Sequence, residues 1–181
     1  MRVSKKGKDI LLLVTDKEDL TGNIANILED EYTIITAETV PEALSAITLK
    51  MPDIFIVDIA LPVLGGLELL KKIREGIKTR LIPFLVLSPE NQKQEKIEAL
   101  ELGADDYINY PIDPEELRAI VKMRLNKFRE FYLMSVTDDL TRLYNRKEFI
   151  KKFNEEVAHF PEGTISLAII DIDHFKGVND I

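Results

Sequence analysis

Three polar residues, two aspartates and a serine, stand just after short apolar runs, where a folded chain could use them for phosphoryl chemistry. Asp16 comes two residues after the run 10–14, Asp58 directly after 54–57, and Ser88 directly after 84–87. A carboxylate is a poor nucleophile toward a phosphoryl group unless a divalent cation neutralises the charge between them, so phosphorylation of an Asp requires a neighbouring acid that holds Mg²⁺. Asp16 and Asp58 could form that pair. Spacing alone favours equally the interpretation that each Asp only caps a helix.

Five short apolar or β-branched runs alternate with helical patterns and must position these residues. The predicted strands cover 10–14, 32–37, 54–57, 84–87 and 106–109. Continuous apolar runs are typical of strands covered on both faces, and their alternation with helices predicts right-handed crossovers and a doubly wound, five-stranded parallel sheet of the α/β class. Ligands of such sheets bind at the carboxyl ends of the strands. We therefore expect Asp16, Asp58 and Ser88 to lie at one edge of the sheet.

The helices between these strands carry recognisable start and stop signals. Thr39 can cap the second helix, with Pro41 in its first turn and Glu42 completing a capping box. Gly103 suits the left-handed position at the end of the fourth helix, whose apolar positions are Ile97, Leu100 and Leu102. These signals fix where two of the helices begin or end.

The chain changes its organisation after residue 112. A helix starts at Asp113 and keeps an apolar stripe through Leu117, Ile120, Val121, Leu125, Phe128, Phe131 and Tyr132, which is longer than one small domain needs. A second helix is predicted over 146–159 and a strand over 164–170. We expect a core over 1–112, a connecting helix over 113–135, and an incomplete α/β unit over 136–181 that cannot close a sheet by itself.

Composition disfavours several classes of protein. The formal net charge of −8 disfavours nucleic acid as a partner, because affinity for phosphates requires clustered Lys and Arg. The sequence contains no Cys, which removes disulfides and thiolate chemistry and fits a reducing, cytoplasmic location. The N-terminal apolar run is too short for a signal peptide or a membrane span. We expect neither nucleic acid nor a membrane as a partner.

Four segments carry a specific family resemblance: ILLLVTD at 10–16, PDIFIVDIALP at 52–62 with Gly65 and Gly66, IPFLVLS at 82–88, and GADDYINYP at 103–111. Together they resemble the response-regulator receiver family over roughly residues 8–130, which implies a flavodoxin-like fold and a sensor histidine kinase or phosphotransfer protein as partner. The resemblance assigns a role to each site residue: Asp58 as phosphoacceptor, Asp16, Asp58 and the Ala60 carbonyl as Mg²⁺ ligands, Ser88 as the hydroxyl that contacts the phosphoryl group, and Tyr107 as the aromatic that reorients with it.

Two positions depart from the pattern of that family. Receivers usually place two acidic residues after the first strand, and Thr15 occupies the first of these positions, so we expect weak Mg²⁺ binding. The lysine that the family places before its last proline is replaced by Tyr110, which can donate a hydrogen bond but brings no positive charge to a phosphoryl group.

Two functions therefore stay open. In the first, phosphorylation of the receiver sets how two subunits of a homodimer face each other, through the helix at 113–135. In the second, a pseudo-receiver acts without phosphorylation as a dimerisation or docking module. A flavodoxin-type binder of small molecules is less favoured, because no loop after a strand has the Gly- or Ser/Thr-rich composition of a phosphate cradle.

Two later segments, TDDLTRLYNR at 137–146 and LAIIDIDHFKGVND at 167–180, resemble the opening of a GGDEF domain, the diguanylate cyclase module. In that family two GTP molecules, one on each subunit, condense to cyclic-di-GMP by metal-assisted attack of a ribose 3′-hydroxyl on an α-phosphate. The resemblance implies these ligands: Mg²⁺ at Asp171 and the Ile172 carbonyl, the triphosphate at Phe175 and Lys176, and guanine at Asn179. The Gly-Gly-Asp/Glu-Glu-Phe signature is absent, so we expect no cyclase activity from this chain and a longer parent enzyme, with a natural remnant as the alternative.

Overall fold

The computed structural model describes residues 7–62, 65–89, 93–159, 163 and 166–170. The chain forms two compact units, Met1–Leu133 and Met134–Ile181. In the described ranges, no helix combines the length and the apolar composition that crossing a bilayer requires.

The first unit alternates five strands with helices, as predicted. The strands are β1 (Asp9–Val14), β2 (Tyr32–Ala37), β3 (Ile54–Asp58), β4 (Phe84–Pro89) and β5 (Asp106–Tyr110), and the helices are α1 (Glu18–Leu28), α2 (Val40–Leu49), α3 (Gly65–Glu75), α4 (Lys93–Glu101) and α5 (Pro114–Val136). All strand pairs are parallel and the sheet order is β2-β1-β3-β4-β5. This order confirms the flavodoxin-like doubly wound fold.

The sheet is buried on both faces, which explains why its strands are continuous apolar runs. One face packs with the helices α2, α3 and α4, and Phe55 and Phe84 are fully buried there. The other face packs with α1 and α5, and Leu11 and Ile54 are fully buried there. Because the strands are parallel and in register, the ends of β1, β3 and β4 meet at one edge of the sheet.

The predicted start of α2 is confirmed with one difference in its hydrogen bonds. The Thr39 hydroxyl accepts a hydrogen bond from the Glu42 N–H at 3.4 Å, as a capping residue should. The Glu42 carboxylate, however, accepts from the N–H of Glu38 at 3.0 Å, one residue before the cap. Gly103 has a φ of 93°, which agrees with its predicted left-handed position after α4.

Of the apolar positions predicted for the fourth helix, Leu102 is partly buried against the core, but Ile97 and Leu100 are exposed, and so are Phe131 and Tyr132 near the end of α5. In α4, Ala99 is the buried residue, whereas Ile97 and Leu100 are 41% and 47% exposed. Successive residues of a helix are rotated by about 100°, so a helix that contacts the sheet through Ala99 turns both larger side chains away from it. In α5, the side chains buried in the core of the first unit end at Leu125, and Phe131 is 63% exposed, whereas Val136 at the end of the helix is buried.

The second unit contains the predicted helix, α6 (Arg146–His159). Asn145 caps this helix by accepting a hydrogen bond from the Glu148 N–H at 3.0 Å. The strand predicted at 164–170 is wrong for residues 166–170, which have no regular secondary structure, and Ile169 and Ile170 there are exposed. A strand needs a neighbour for its backbone hydrogen bonds, and no strand of the described residues pairs with this segment.

Candidate functional site

The carboxylate of Asp58 lies at the end of β3 and is completely buried. Its Oδ1 accepts a hydrogen bond from the Ala60 N–H at 2.9 Å, and its Oδ2 accepts one from the Thr15 hydroxyl at 3.2 Å. A buried carboxylate is tolerated only when it is paired and hydrogen-bonded. These donors come from the two loops that follow β1 and β3, so the strand ends themselves position the carboxylate.

Lys17 supplies the positive charge at this carboxylate. Its Nζ lies 2.6 Å from Asp58 Oδ2 and 2.6 Å from the hydroxyl oxygen of Tyr110, and it stands 4.9 Å from the centre of the Tyr110 ring. The Lys17 backbone N–H donates to the Thr15 hydroxyl at 3.2 Å, just before α1 begins. The lysine is thus fixed at its backbone by Thr15 and at its ammonium by Asp58 and Tyr110.

The electrostatics of the cluster keep this ammonium charged. Burial lowers the pKa of Lys17, but the hydrogen bonds to Asp58 and Tyr110 and the negative charge of Asp58 outweigh the burial, so the pKa lies above its ordinary value. Asp58 therefore faces a permanent cation at neutral pH. The cation remains in contact with water, because 41% of the Lys17 side chain is exposed.

The residues expected to hold Mg²⁺ contribute two carboxylates and a carbonyl. Asp16 is exposed in the loop after β1, and Asp58 Oδ2 already contacts the Lys17 ammonium and the Thr15 hydroxyl. Among the described residues, no group of three or more His, Cys, Asp or Glu side chains is arranged to hold a metal ion. Mg²⁺ usually binds through one or two carboxylates and keeps several waters, so the donor set fits the ion, with Lys17 competing for one oxygen of Asp58.

Ser88 on β4 and Tyr107 on the adjacent strand β5 lie beside each other. The Ser88 side chain is completely buried at the end of β4, and its hydroxyl donates to the Pro89 carbonyl at 3.1 Å. Burial raises the pKa of Tyr107, and a hydrogen bond with Ser88 lowers it. The Lys96 ammonium of α4 stands 5.3 Å from the centre of the Tyr107 ring. The structure therefore groups the predicted residues in two contacts, Ser88 with Tyr107 and Asp58 with Tyr110 through Lys17.

Helix α3 approaches the backbone of Asp58 so closely that only glycine fits. A Cβ added to Gly66 would lie 2.6 Å from the Asp58 carbonyl oxygen and 2.9 Å from the Cα of Ile59. The preceding Gly65 has a φ of 62°, a left-handed conformation that favours glycine. This pair of glycines lets the start of α3 lie directly against the backbone at the end of β3.

An open groove of about 910 Å³ borders the cluster. It runs between α1 and the segment after β5, and Lys17 and Tyr110 line it together with Asn23, Ile27 and Pro111. The Lys17 side of the Asp58 cluster is therefore reachable from solvent.

Sequence reasoning missed Lys17, which bridges the predicted residues Asp58 and Tyr110. The available signal was a charge balance: a lysine stands in the loop after β1 in the same sequence that lacks one at position 110. The residues expected to bind nucleotide and metal in the second unit, Asp171, Ile172, Phe175, Lys176 and Asn179, lie outside the described residues.

Two family models match the chain. The model of the response regulator receiver domain matches residues 11–122, and the model of the diguanylate cyclase GGDEF domain matches residues 135–181. Among curated relatives, the response regulator PleD of Caulobacter vibrioides is 31% identical over 94% of this chain, and the alkaline phosphatase synthesis transcriptional regulatory protein PhoP of Bacillus subtilis is 35% identical over 65% of it. The chain covers only 40% and 48% of the lengths of these two relatives.

Solved structures agree with the fold of the first unit. The receiver domain of a signal transduction histidine kinase from Syntrophus aciditrophicus has a TM-score of 0.62 and 28% identity, and the match covers 66% of this chain and 91% of that one. The chemotaxis protein CheY4 of Vibrio cholerae has a TM-score of 0.62 and 27% identity over 65% of this chain and 99% of its own.

Proposed function

Because this chain belongs to the response regulator receiver family and continues into the opening part of a GGDEF domain, we propose that it is a phosphorylation-controlled regulator of cyclic-di-GMP synthesis. Asp58 is the phosphoacceptor in this proposal, the Ser88 hydroxyl contacts the phosphoryl group, and the Tyr107 ring reorients with it. The observation that carries the proposal is the buried Asp58 carboxylate, held by Thr15 and Ala60 at the strand end where a receiver binds its phosphoryl group.

The chemistry asked of the site is transfer of a phosphoryl group to a carboxylate oxygen. Asp58 attacks the phosphorus, and burial together with its hydrogen bonds from Thr15, Lys17 and Ala60 fixes the direction from which its free lone pairs approach. Asp16, Asp58 and the Ala60 carbonyl are the residues that would hold Mg²⁺, which supplies positive charge to the phosphoryl oxygens when it is bound. Receivers and GGDEF domains are generally Mg²⁺-dependent families.

The partners follow from the same chemistry. Receiver domains generally interact with histidine kinases or phosphotransfer proteins, and we propose such a protein as the phosphodonor here.

We also propose that the chain forms a homodimer through α5, whose distal part carries exposed apolar side chains such as Phe131 and Met134. In this proposal the receiver core covers 1–112 and the connecting helix 113–135.

The output of the regulator is proposed to be condensation of two GTP molecules to cyclic-di-GMP by a complete GGDEF domain. Within it, Asp171 and the Ile172 carbonyl hold Mg²⁺, Phe175 and Lys176 face the triphosphate, and Asn179 contacts guanine. A chain extended through the rest of a GGDEF domain should turn over GTP. An extended, folded dimer that binds no GTP would refute the cyclase assignment.

One observation favours a second function, that of a docking or dimerisation module which is never phosphorylated. The Asp58 carboxylate is already neutralised by the Lys17 ammonium, and Tyr110 holds that ammonium in place. In a pseudo-receiver, the ion pair between Lys17 and Asp58 has only a structural role, and Asp58 accepts no phosphoryl group.

Intact mass spectrometry separates the two functions. The protein is incubated with a small acyl phosphate and Mg²⁺, and its mass and oligomeric state are measured beside Asp58→Asn as the matched control. The phosphoreceiver predicts a phosphate adduct on the wild type, none on the variant, and a change in dimerisation measured by light scattering. A folded wild type that gains no Asp58-dependent phosphate at saturating donor leaves the docking module as the function.

A further inference from the structure

The cluster around Asp58 contains a cation in an unexpected place. Position 110, where the resemblance implies a lysine, holds Tyr110, whereas Lys17 reaches the same carboxylate from the loop after β1. We infer that Lys17 is the residue that contacts the phosphoryl group on Asp58, and that Tyr110 is its positioning residue. This inference rests on the proposed phosphorylation of Asp58 and assigns the origin of the positive charge within that site.

The geometry supplies both an anchor and a free donor for this role. The Thr15 hydroxyl fixes the Lys17 backbone, and the Lys17 Nζ lies at 2.6 Å from both Asp58 Oδ2 and the Tyr110 hydroxyl. An ammonium has three N–H donors, and these two contacts occupy two of them. The third N–H is left for an oxygen of the phosphoryl group.

The surroundings of Lys17 leave that donor accessible from solvent beside Asp58. Asp58 is completely buried, whereas 41% of the Lys17 side chain is exposed and lines the open groove beside α1. A phosphodonor approaching the exposed side of the cluster meets the ammonium before it meets the carboxylate. Lys17 therefore lies between solvent and the nucleophile.

The covalent step can be written with an acyl phosphate as donor. A carboxylate oxygen of Asp58 attacks phosphorus and forms a new P–O bond, while the P–O bond to the acyl group breaks and the leaving carboxylate takes the electron pair. Lys17 keeps its proton throughout. Its ammonium offsets the charge on the equatorial phosphoryl oxygens, which is the main contribution that a protein makes to such a transfer.

Tyr110 acts on the reaction through Lys17. Its hydroxyl accepts one ammonium N–H, so the side chain restricts the lysine to the Asp58 side of the groove. Removal of the hydroxyl should loosen the ammonium without removing its charge. The effect of Tyr110→Phe should therefore disappear when Lys17 is already replaced.

The test compares the rate of phosphate incorporation among matched variants by intact mass spectrometry, with acyl phosphate and Mg²⁺ saturating. Lys17→Met should slow incorporation by about 10- to 100-fold, the range expected for loss of one charge-assisted hydrogen bond. Lys17→Arg should retain more of the rate than Lys17→Met. The double variant Lys17→Met with Tyr110→Lys should regain rate over Lys17→Met alone, because it returns the cation from the end of β5.

The lifetime of the phosphorylated protein after removal of the donor is the second readout, with Asp58→Asn as the blank and thermal unfolding as the check of folding. Equal rates and lifetimes for wild type and Lys17→Met would overturn the role of Lys17 while leaving Asp58 as phosphoacceptor. Failure of the wild type to gain phosphate would overturn both proposals. If Lys17→Met does not fold, the comparison uses Lys17→Arg and the double variant Lys17→Met with Tyr110→Lys. A double variant that folds but gains no more phosphate than Asp58→Asn overturns the inference, whereas phosphorylation of the double variant together with a retained rate for Lys17→Arg supports it.

Discussion

The hydroxyl of Tyr110, at the end of β5, accepts a hydrogen bond from the ammonium of Lys17, which precedes α1 by one residue, at 2.6 Å. This contact joins two segments that are 93 positions apart in the chain, and the same ammonium continues to Asp58. Loss of the Tyr110 hydroxyl in Tyr110→Phe should lower the free energy of unfolding by about 1 kcal/mol, measured by urea denaturation. In a Lys17→Met background the same change should cost almost nothing, and an equal cost in both backgrounds would contradict the coupling.

Alkaline pH should remove the stability that Lys17 contributes. Folding raises the pKa of Lys17 above its ordinary value of 10.5, so the contribution is complete below pH 10.5 and is lost as the pH rises through the higher folded value. The difference in free energy of unfolding between wild type and Lys17→Met should be constant from neutral pH to that point and narrow above it. Subtraction of the variant removes the effect of Tyr107, whose pKa is also raised. If the difference in free energy of unfolding between wild type and Lys17→Met widens above pH 10.5, folding does not raise the pKa of Lys17.

Thr15→Asp should strengthen Mg²⁺ binding at the site and make the melting temperature of the protein more dependent on Mg²⁺. The new carboxylate would stand beside the buried Asp58, where the Thr15 hydroxyl now donates a hydrogen bond, so repulsion between like charges should lower the melting temperature in a chelator. Added Mg²⁺ should raise that melting temperature by more than it raises the wild type's, because ligand binding stabilises the folded state. Thr15→Val is the control that removes the hydroxyl without adding charge. If Thr15→Asp and the wild type respond equally to Mg²⁺, the donor set around Asp58 has been assigned incorrectly.

Gly66→Ala should disturb Asp58 through its backbone. The added Cβ would lie 2.6 Å from the Asp58 carbonyl oxygen, so the end of β3 or the start of α3 must shift. We expect a loss of about 1 to 3 kcal/mol in the free energy of unfolding. Gly22→Ala is the matched control, because Gly22 lies in the exposed part of α1 with open space around its Cα, and alanine there should stabilise the protein by up to about 1 kcal/mol. Equal effects of the two substitutions in thermal unfolding would refute the close packing of α3.

Arg74 should contribute more to stability than an ordinary surface arginine. Its guanidinium donates hydrogen bonds to the carbonyls of Gly103, Arg80 and Ile82. It also pairs with Asp105 at 2.7 Å, and only 18% of the Arg74 side chain is exposed. Burial lowers the pKa of Arg74, and Asp105 raises it. We expect Arg74→Met to cost about 2 to 4 kcal/mol in chemical denaturation, because it leaves several acceptors unpaired.

The matched control for Arg74 is Lys72→Met on the same helix. Lys72 pairs with Glu68 at 3.5 Å, but both side chains are more than 40% exposed, and such pairs contribute less than about 1 kcal/mol. Arg74→Lys should recover only part of the loss, because an ammonium cannot reproduce the planar fork of a guanidinium. A cost for Arg74→Met no larger than that for Lys72→Met would disprove the role of this hydrogen-bond network.

The sequence was sufficient to predict the sheet because its signals are local and repeated. The run 32–37 became β2 and the pattern 146–159 became α6 with the predicted bounds. The orientation of α4 was not predictable in the same way, since Ile97 and Leu100 are larger than Ala99 but the contact with the sheet selects the smallest of the three.

The part of the site that sequence reasoning missed depends on tertiary contacts. Lys17 has a long, flexible side chain in a loop, and its direction is set by Asp58 and Tyr110, which are 41 and 93 positions away. No periodic pattern encodes such a contact. The positions of Asp58 and Ser88, in contrast, follow directly from the ends of buried strands, which the apolar runs mark.

The ion pair between Lys17 and Asp58 has a consequence for how uniform the protein is in solution. When a dissociable ion neutralises a site, the protein in solution is a mixture of molecules with and without the ion, and their proportions follow the ion concentration. Here the neutralising charge is covalently part of the polypeptide, so a chelator cannot strip it and dilution cannot release it. Every molecule that folds therefore carries this ammonium beside Asp58, whatever the supply of free magnesium.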